Sequence, residues 1–177
     1  VGLVAADRDG VVADGALRDD LLVADPAQPF GVRLDHDRVL EEVRARWHGP
    51  DDRQVLVVEA SDLARTMRYR SAVDRGRYHV LWASALADAD ELVGRLLTEV
   101  DLERDAVLVV APYNLPGDRD LTAIALAGPG VRPGYLRSAS TQRAGFLTLV
   151  DVGPTILARL GVPRPLGMEG RPAEITP

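Results

Sequence analysis

The chain has 177 residues, 46% of them hydrophobic and 27% charged, which suits one globular domain whose core needs no staples. A net charge of -6 argues against a nucleic-acid binder, which carries a basic footprint. With no cysteine, disulfides and thiolate metal sites are excluded, and the redox compartment stays open.

All 21 basic residues are arginine, a bias that discounts arginine clusters as anion sites. No run approaches the roughly 20 apolar residues that span a bilayer, and no basic-then-apolar leader opens the chain. The start at Val1, inside a strand-like run, reads as a piece excised from a longer protein.

In chain order, Val1 to Ala6 is an apolar run, followed by the turn dipeptide Asp9-Gly10, so a hairpin or tight bend is expected. Asp7, Asp9 and Asp14 resemble a calcium loop only superficially, because the sixth-position glycine and terminal glutamate are missing. Asp20 to Ala24 suits a short strand, and Asp25 to Gly31 an irregular connection. Val39, Leu40, Val43 and Trp47 fall on one face of a helix that starts near Asp37, with Asp35 or Asp37 as its cap. Gly49-Pro50 ends that helix.

Gln54 to Glu59 reads as a strand covered on both faces. The stretch 60–70 leaves loop or short helix open. The longest helix, about 77–100, carries a wide apolar stripe through Tyr78, Leu81, Ala85, Leu92 and Leu96, with Asp88, Asp90, Glu91 and Arg95 largely off it. An apolar strand, Ala106 to Val110, follows. Strand, long helix and strand predict a right-handed βαβ unit in a parallel sheet. Leu121 to Ala127 adds a strand, Tyr135 to Thr141 a short edge strand, and Asp151 caps a last helix closed by Gly161 and Pro163.

The segments Asp105 to Ala111, Leu121 to Gly130 and Asp151 to Gly161 run as strand, loop, strand, Gly-Pro-Gly turn and capped helix. This succession, over residues 54–172, resembles the carboxy-terminal part of the alkaline phosphatase superfamily, the metal-dependent phosphatases, sulfatases, phosphodiesterases and phosphomutases. The resemblance implies an α/β fold, a mostly parallel sheet with helices on both faces, with residues 1–177 a single but incomplete alkaline phosphatase-like domain. In such a sheet, ligands sit beyond the carboxyl ends of the strands. Those ends are Glu59 to Asp62 and Ala111 to Asp118.

In the superfamily these loops supply an aspartate with a histidine four residues on, then an aspartate-histidine pair, because a two-metal centre activates the attacking group and clamps the phosphoryl oxygens. Here Asp62 is the only match to a family ligand. Thr66 stands in the histidine's place, and Pro112-Tyr113, beside Asn114, in that of the pair. The third histidine's interval, 138–145, holds none, and the family's nucleophile would lie before Val1. No catalytic residue and no metal ligand set is therefore assigned. Glu59, Asp62, Thr66, Tyr113, Asn114, Asp118 and Arg143 remain as a candidate ligand-binding cleft at the strand ends.

Other groups weigh less. His36, between Asp35 and Asp37, reads as a solvent-facing residue at a helix start; His48 and His79 have no ligand partner at i+4. Asp118 and Asp120 read as a solvated turn. Ser138, Ser140, Thr141 and Arg143 could cradle an anion through hydroxyls and a guanidinium fork, against the plainer reading of a hydroxyl-rich turn.

The residues favour a degenerate, non-catalytic phosphatase-like domain that serves a larger protein as scaffold or as ligand- or partner-binding module, with no cofactor. The alternative is a metal-dependent hydrolase or transferase of phosphate or sulfate esters, using zinc, manganese or magnesium, completed by upstream sequence. Expected partners exclude nucleic acid and direct membrane insertion by this segment, and include other domains of the same longer chain. The localisation leans toward an extracytoplasmic domain of a membrane-associated protein.

Overall fold

The structure, a computed structural model, describes residues 2–4, 19–47, 53–112 and 121–177. The chain divides into two compact units, Val1–Val100 and Asp101–Pro177.

In the first unit, β1 (Gly2–Val4) pairs in parallel with β4 (Leu56–Val58), Gly2 opposite Leu56. Between them, β2 (Leu22–Ala24) and β3 (Val32–Leu34) form an antiparallel pair, Leu22 opposite Leu34. The connection is a tight turn in which Asp25 N–H donates to Gly31 O at 2.8 Å, with Phe30 and Gly31 both at positive φ. Helix α1 (His36–Trp47) follows. Asp35, one of its two expected caps, fills that role: Oδ1 accepts the N–H groups of Asp37 at 3.1 Å and Arg38 at 3.3 Å. Polar residues 60–70 resolve into α2 (Ser61–Tyr69). The long helix α3 (Arg75–Leu96) is capped by Asp74, whose carboxylate accepts Arg77 N–H at 3.0 Å.

The core of this unit is one apolar cluster. Leu21, Leu34, Val39 and Val43 meet Leu92 of α3, with Trp47, Leu56, Val58 and Leu96 packed around them. Each buried leucine is worth about 1.5–3 kcal/mol relative to exposure, so this cluster fixes α1 and α3 against the strands. Of the expected α3 stripe, Tyr78, Leu81, Ala85 and Leu92 are buried and Leu96 is half-buried.

In the second unit, β5 (Val107–Val110) pairs antiparallel with β6 (Ile124–Ala127), and Ala111 N–H extends the ladder to Ala123 O at 3.0 Å. Gly128 closes this pair at φ +132°, where a Cβ would stand 2.6 Å from Asp105 O, so only glycine fits. Strand β7 (Tyr135–Arg137) pairs antiparallel with β8 (Glu174–Thr176), a strand the sequence pattern did not reveal. A 3-10 turn (Leu149–Asp151) leads into α4 (Val152–Arg159), which ends at Gly161 with φ +64°.

The mostly parallel α/β sheet is thus overturned. Among the described residues the strands form four two-stranded sheets, three of them antiparallel, and no extended parallel sheet carries helices on both faces. The expected βαβ unit fails because β4 and β5 never share a sheet. Both runs are apolar throughout, which suggested strands buried on two faces, yet Val57 is 45% and Val109 40% exposed. A three- or four-residue apolar run fixes neither its partner nor its second face. The Asp9-Gly10 turn, the Asp7/Asp9/Asp14 loop, His48 and the Gly49-Pro50 stop lie outside the described residues.

Candidate functional site: a polar cleft in the first unit

A cleft of about 410 Å³ opens in the first unit, within the size range of small-molecule pockets. The turn after β2 contributes Asp25 and Gln28, β3 contributes Arg33, and the start of α1 contributes Asp35, His36 and Asp37. The facing wall is α3, with Asp88, Glu91 and Arg95. Their i, i+3, i+7 spacing sets these three on one helical face, off the apolar stripe. Gln28 Nε2 donates to Ser84 Oγ at 3.2 Å and Arg77 to Ala27 O at 2.6 Å, so the turn is docked onto α3.

Ion pairs consume both guanidinium groups of the wall. Arg33 Nε lies 3.6 Å from Asp25, and Arg33 also donates to Leu34 O at 3.3 Å. Arg95 hydrogen-bonds Asp37 across from α3 to α1 and approaches Glu91 at 3.9 Å. That hydrogen bond, helped by the guanidinium charge, holds the Asp37 carboxyl below its ordinary range. Asp35 is occupied by the α1 cap and by Arg38, 3.5 Å away.

Asp88 differs. It is half-buried and has no hydrogen bond or ion pair among the described residues. Burial, then the negative charge of Asp62, pushes its carboxyl up. His36 corrects an expectation: far from facing solvent, it is 7% exposed. Its Nδ1 stands 3.6 Å from Glu91 Oε1, because α3 packs over the start of α1 and roofs the ring.

The strand-end residues fare differently from their forecast. Asp62, in the first turn of α2, accepts Leu34 N–H of β3 on both carboxylate oxygens, at 3.1 and 3.2 Å, and is bound by Arg65. Arg65 is 1% exposed and also donates to Ser61 Oγ at 2.9 Å. Asp62 is thus an internal tie between β3 and α2. Thr66 is buried on the same helix, and Glu59 is half-buried just before it. Tyr113, Asn114, Asp118 and Asp120 lie outside the described residues.

The hydroxyl cluster of the second unit does cradle an anion, and that anion is the chain's own Asp151. Ser138 Oγ donates to it at 2.8 Å and Ser140 Oγ at 2.6 Å. Thr148 adds its N–H at 2.9 Å and hydroxyl at 2.7 Å, and Arg171 its N–H at 2.8 Å. Asp151 is fully buried, which alone would raise its pKa, yet the donors from Ser140, Thr148 and Arg171 outweigh this and hold the carboxyl far below its usual range. Contrary to expectation it does not cap α4 with its side chain; it holds the N3 position of a capping box opened by Thr148. Arg143, which could have supplied a guanidinium fork to that cradle, covers the Phe146 ring at 4.6 Å.

Among the described residues no group of three or more His, Asp or Glu side chains could hold a metal ion, and no helix is long and apolar enough to cross a membrane. The chain matches no known family, no curated protein and no solved structure. The Asp88, Glu91, Arg95 face is legible as a helical spacing, and Thr148-x-x-Asp151 as a capping-box pattern; neither pattern by itself points to a ligand.

Proposed function

We propose that this chain is a non-catalytic binding module, a scaffold within a larger protein that meets its ligand in the polar cleft of the first unit. One observation carries the reading. Asp62, the single residue that matched a phosphatase-family metal ligand, spends its carboxylate on Leu34 N–H and Arg65. A carboxylate already holding two internal donors in a buried setting is poorly placed to bind a metal as well. The acidic balance of the chain adds support for partners other than nucleic acid, and other domains of the same longer chain are the natural ones.

The test is elemental analysis of the purified chain after dialysis against zinc, manganese and magnesium, paired with turnover of an aryl phosphate and an aryl sulfate. The expected result is no stoichiometric metal and no turnover. Stoichiometric metal lost in Asp62→Asn, together with turnover, would overturn the reading.

A further inference from the structure

We propose that the cleft of the first unit takes a small organic cation, whose ammonium or guanidinium head is received by Asp88, Glu91 and His36. The proposal rests on the binding-module reading and names the ligand class of that site.

Charge accounting around the wall points to the missing cation. Arg33 answers Asp25, and Arg95 answers Asp37. Glu91 has the His36 ring at 3.6 Å and Arg95 at 3.9 Å, neither within hydrogen-bond range, and Asp88 has no ion pair among the described residues. A half-buried carboxylate without a counter-ion has lost hydration without compensation, and a bound N–H cation restores it.

The second observation is His36. Its side chain is more than nine-tenths buried in the cleft wall, and no hydrogen bond engages its ring among the described residues. The Glu91 oxygen, 3.6 Å from Nδ1, is beyond hydrogen-bond range. An imidazole ring nitrogen can accept an N–H, so two carboxylates and the His36 ring form a set matched to an N–H donor. An anion is disfavoured because the guanidinium groups are already paired. A bare metal is disfavoured because a cleft of about 410 Å³ far exceeds an ion and no side-chain group is set to ligate one among the described residues.

The probe is 1,4-diaminobutane, titrated into the full chain by calorimetry at low salt and neutral pH, where surface attraction and site binding are separated by variants. Saturable binding is expected, weakened about tenfold or more in Asp88→Asn, as loss of one charge-assisted hydrogen bond requires. Glu91→Gln should act alike. Asp90→Asn removes the same charge from an exposed position on α3 outside the cleft and should leave the affinity unchanged. Circular dichroism establishes that each variant is folded. Absence of saturable binding at millimolar diamine, or equal weakening by Asp90→Asn, overturns the proposal. So does saturable binding of inorganic phosphate lost in Arg33→Gln, although that result leaves the binding-module reading standing; metal-dependent turnover would remove that reading instead.

Discussion

Asp88 and Asp151 are both aspartates withdrawn from water, and the two units treat them in opposite ways. In the second unit, Asp151 gathers five donors from residues 138, 140, 148 and 171, so its charge is fully answered from within the chain. In the first unit, Asp88 faces a cleft with no hydrogen bond or ion pair among the described residues, only the more distant charges of His36 and Arg33. A carboxylate saturated by its own chain organises structure; one left under-paired at an opening keeps chemistry available to a ligand. Asp62 belongs with Asp151 in this contrast, which is why the residue that most resembled a ligand by sequence is a structural tie.

The sharpest way to break the contrast is Asp151→Ala. It strands several buried donors at once and frees the chain before β8, which Arg171 N–H and the Ala173 N–H to Thr155 Oγ1 bond at 2.9 Å hold against α4. The expected loss is roughly 4 kcal/mol, at the upper end for single substitutions. Both tryptophans lie in the first unit, at 47 and 82, so hydrogen exchange of the β7 and β8 amides is the suitable readout. Unchanged protection there would remove Asp151 from its structural role.

Asp62→Ala comes next. It takes one hydrogen-bonded carboxylate from the buried Arg65 guanidinium and the acceptor from Leu34 N–H, at a cost of roughly 3 kcal/mol. Tryptophan fluorescence reports this unit directly, and Asp62→Asn, which keeps an acceptor for Leu34, should lose less. Thr148→Ala, which removes the capping-box hydroxyl, is expected to cost about 1 kcal/mol. A Thr148 effect as large as that of Asp151 would mean that the cap, and not the buried carboxylate, organises the second unit.

Local signals in the sequence were reliable where a short stretch contains its own answer. The Asp35 cap, the one-sided helix of Val39, Leu40 and Val43, and the Gly161 stop all depend on neighbours within a turn or two. Strand pairing does not. Val107 to Val110 reads the same whether its neighbour is parallel or antiparallel, and the pairing with residues 124–127 is decided by tertiary contacts that periodicity does not encode. The cleft is not legible in the sequence for a related reason. Asp35, His36 and Asp37 gain meaning only when α3, some fifty residues later, lays Asp88 and Glu91 over them. Ser138 and Ser140 leave a hydroxyl-rich turn and an anion cradle both open in the sequence, because the anion they bind lies thirteen and eleven residues further on.

The smallest expected effect is the most discriminating, because the two aspartates should shape the acid limb of stability with opposite sign. Asp151 has its pKa lowered by folding, so its contribution is fully present above the unfolded carboxylate value of about 3.9 and is lost as pH falls through the lower folded value. Asp88 has its pKa raised by burial and by Asp62. Its contribution is fully present below about pH 3.9 and is lost as pH rises through the higher folded value. Asp88→Asn, neutral at every pH, should therefore stabilise the first unit at neutral pH, by less than about 1 kcal/mol given the solvent still reaching this group. The gain should shrink on acidification, whereas Asp151→Asn should flatten the acid-induced loss in the second unit. Urea unfolding followed by tryptophan fluorescence for the first unit, and by exchange at residues 135–137 for the second, reads both limbs. If Asp88→Asn destabilises the folded chain at neutral pH, its carboxylate is answered from within after all, and the contrast between cleft and cradle collapses.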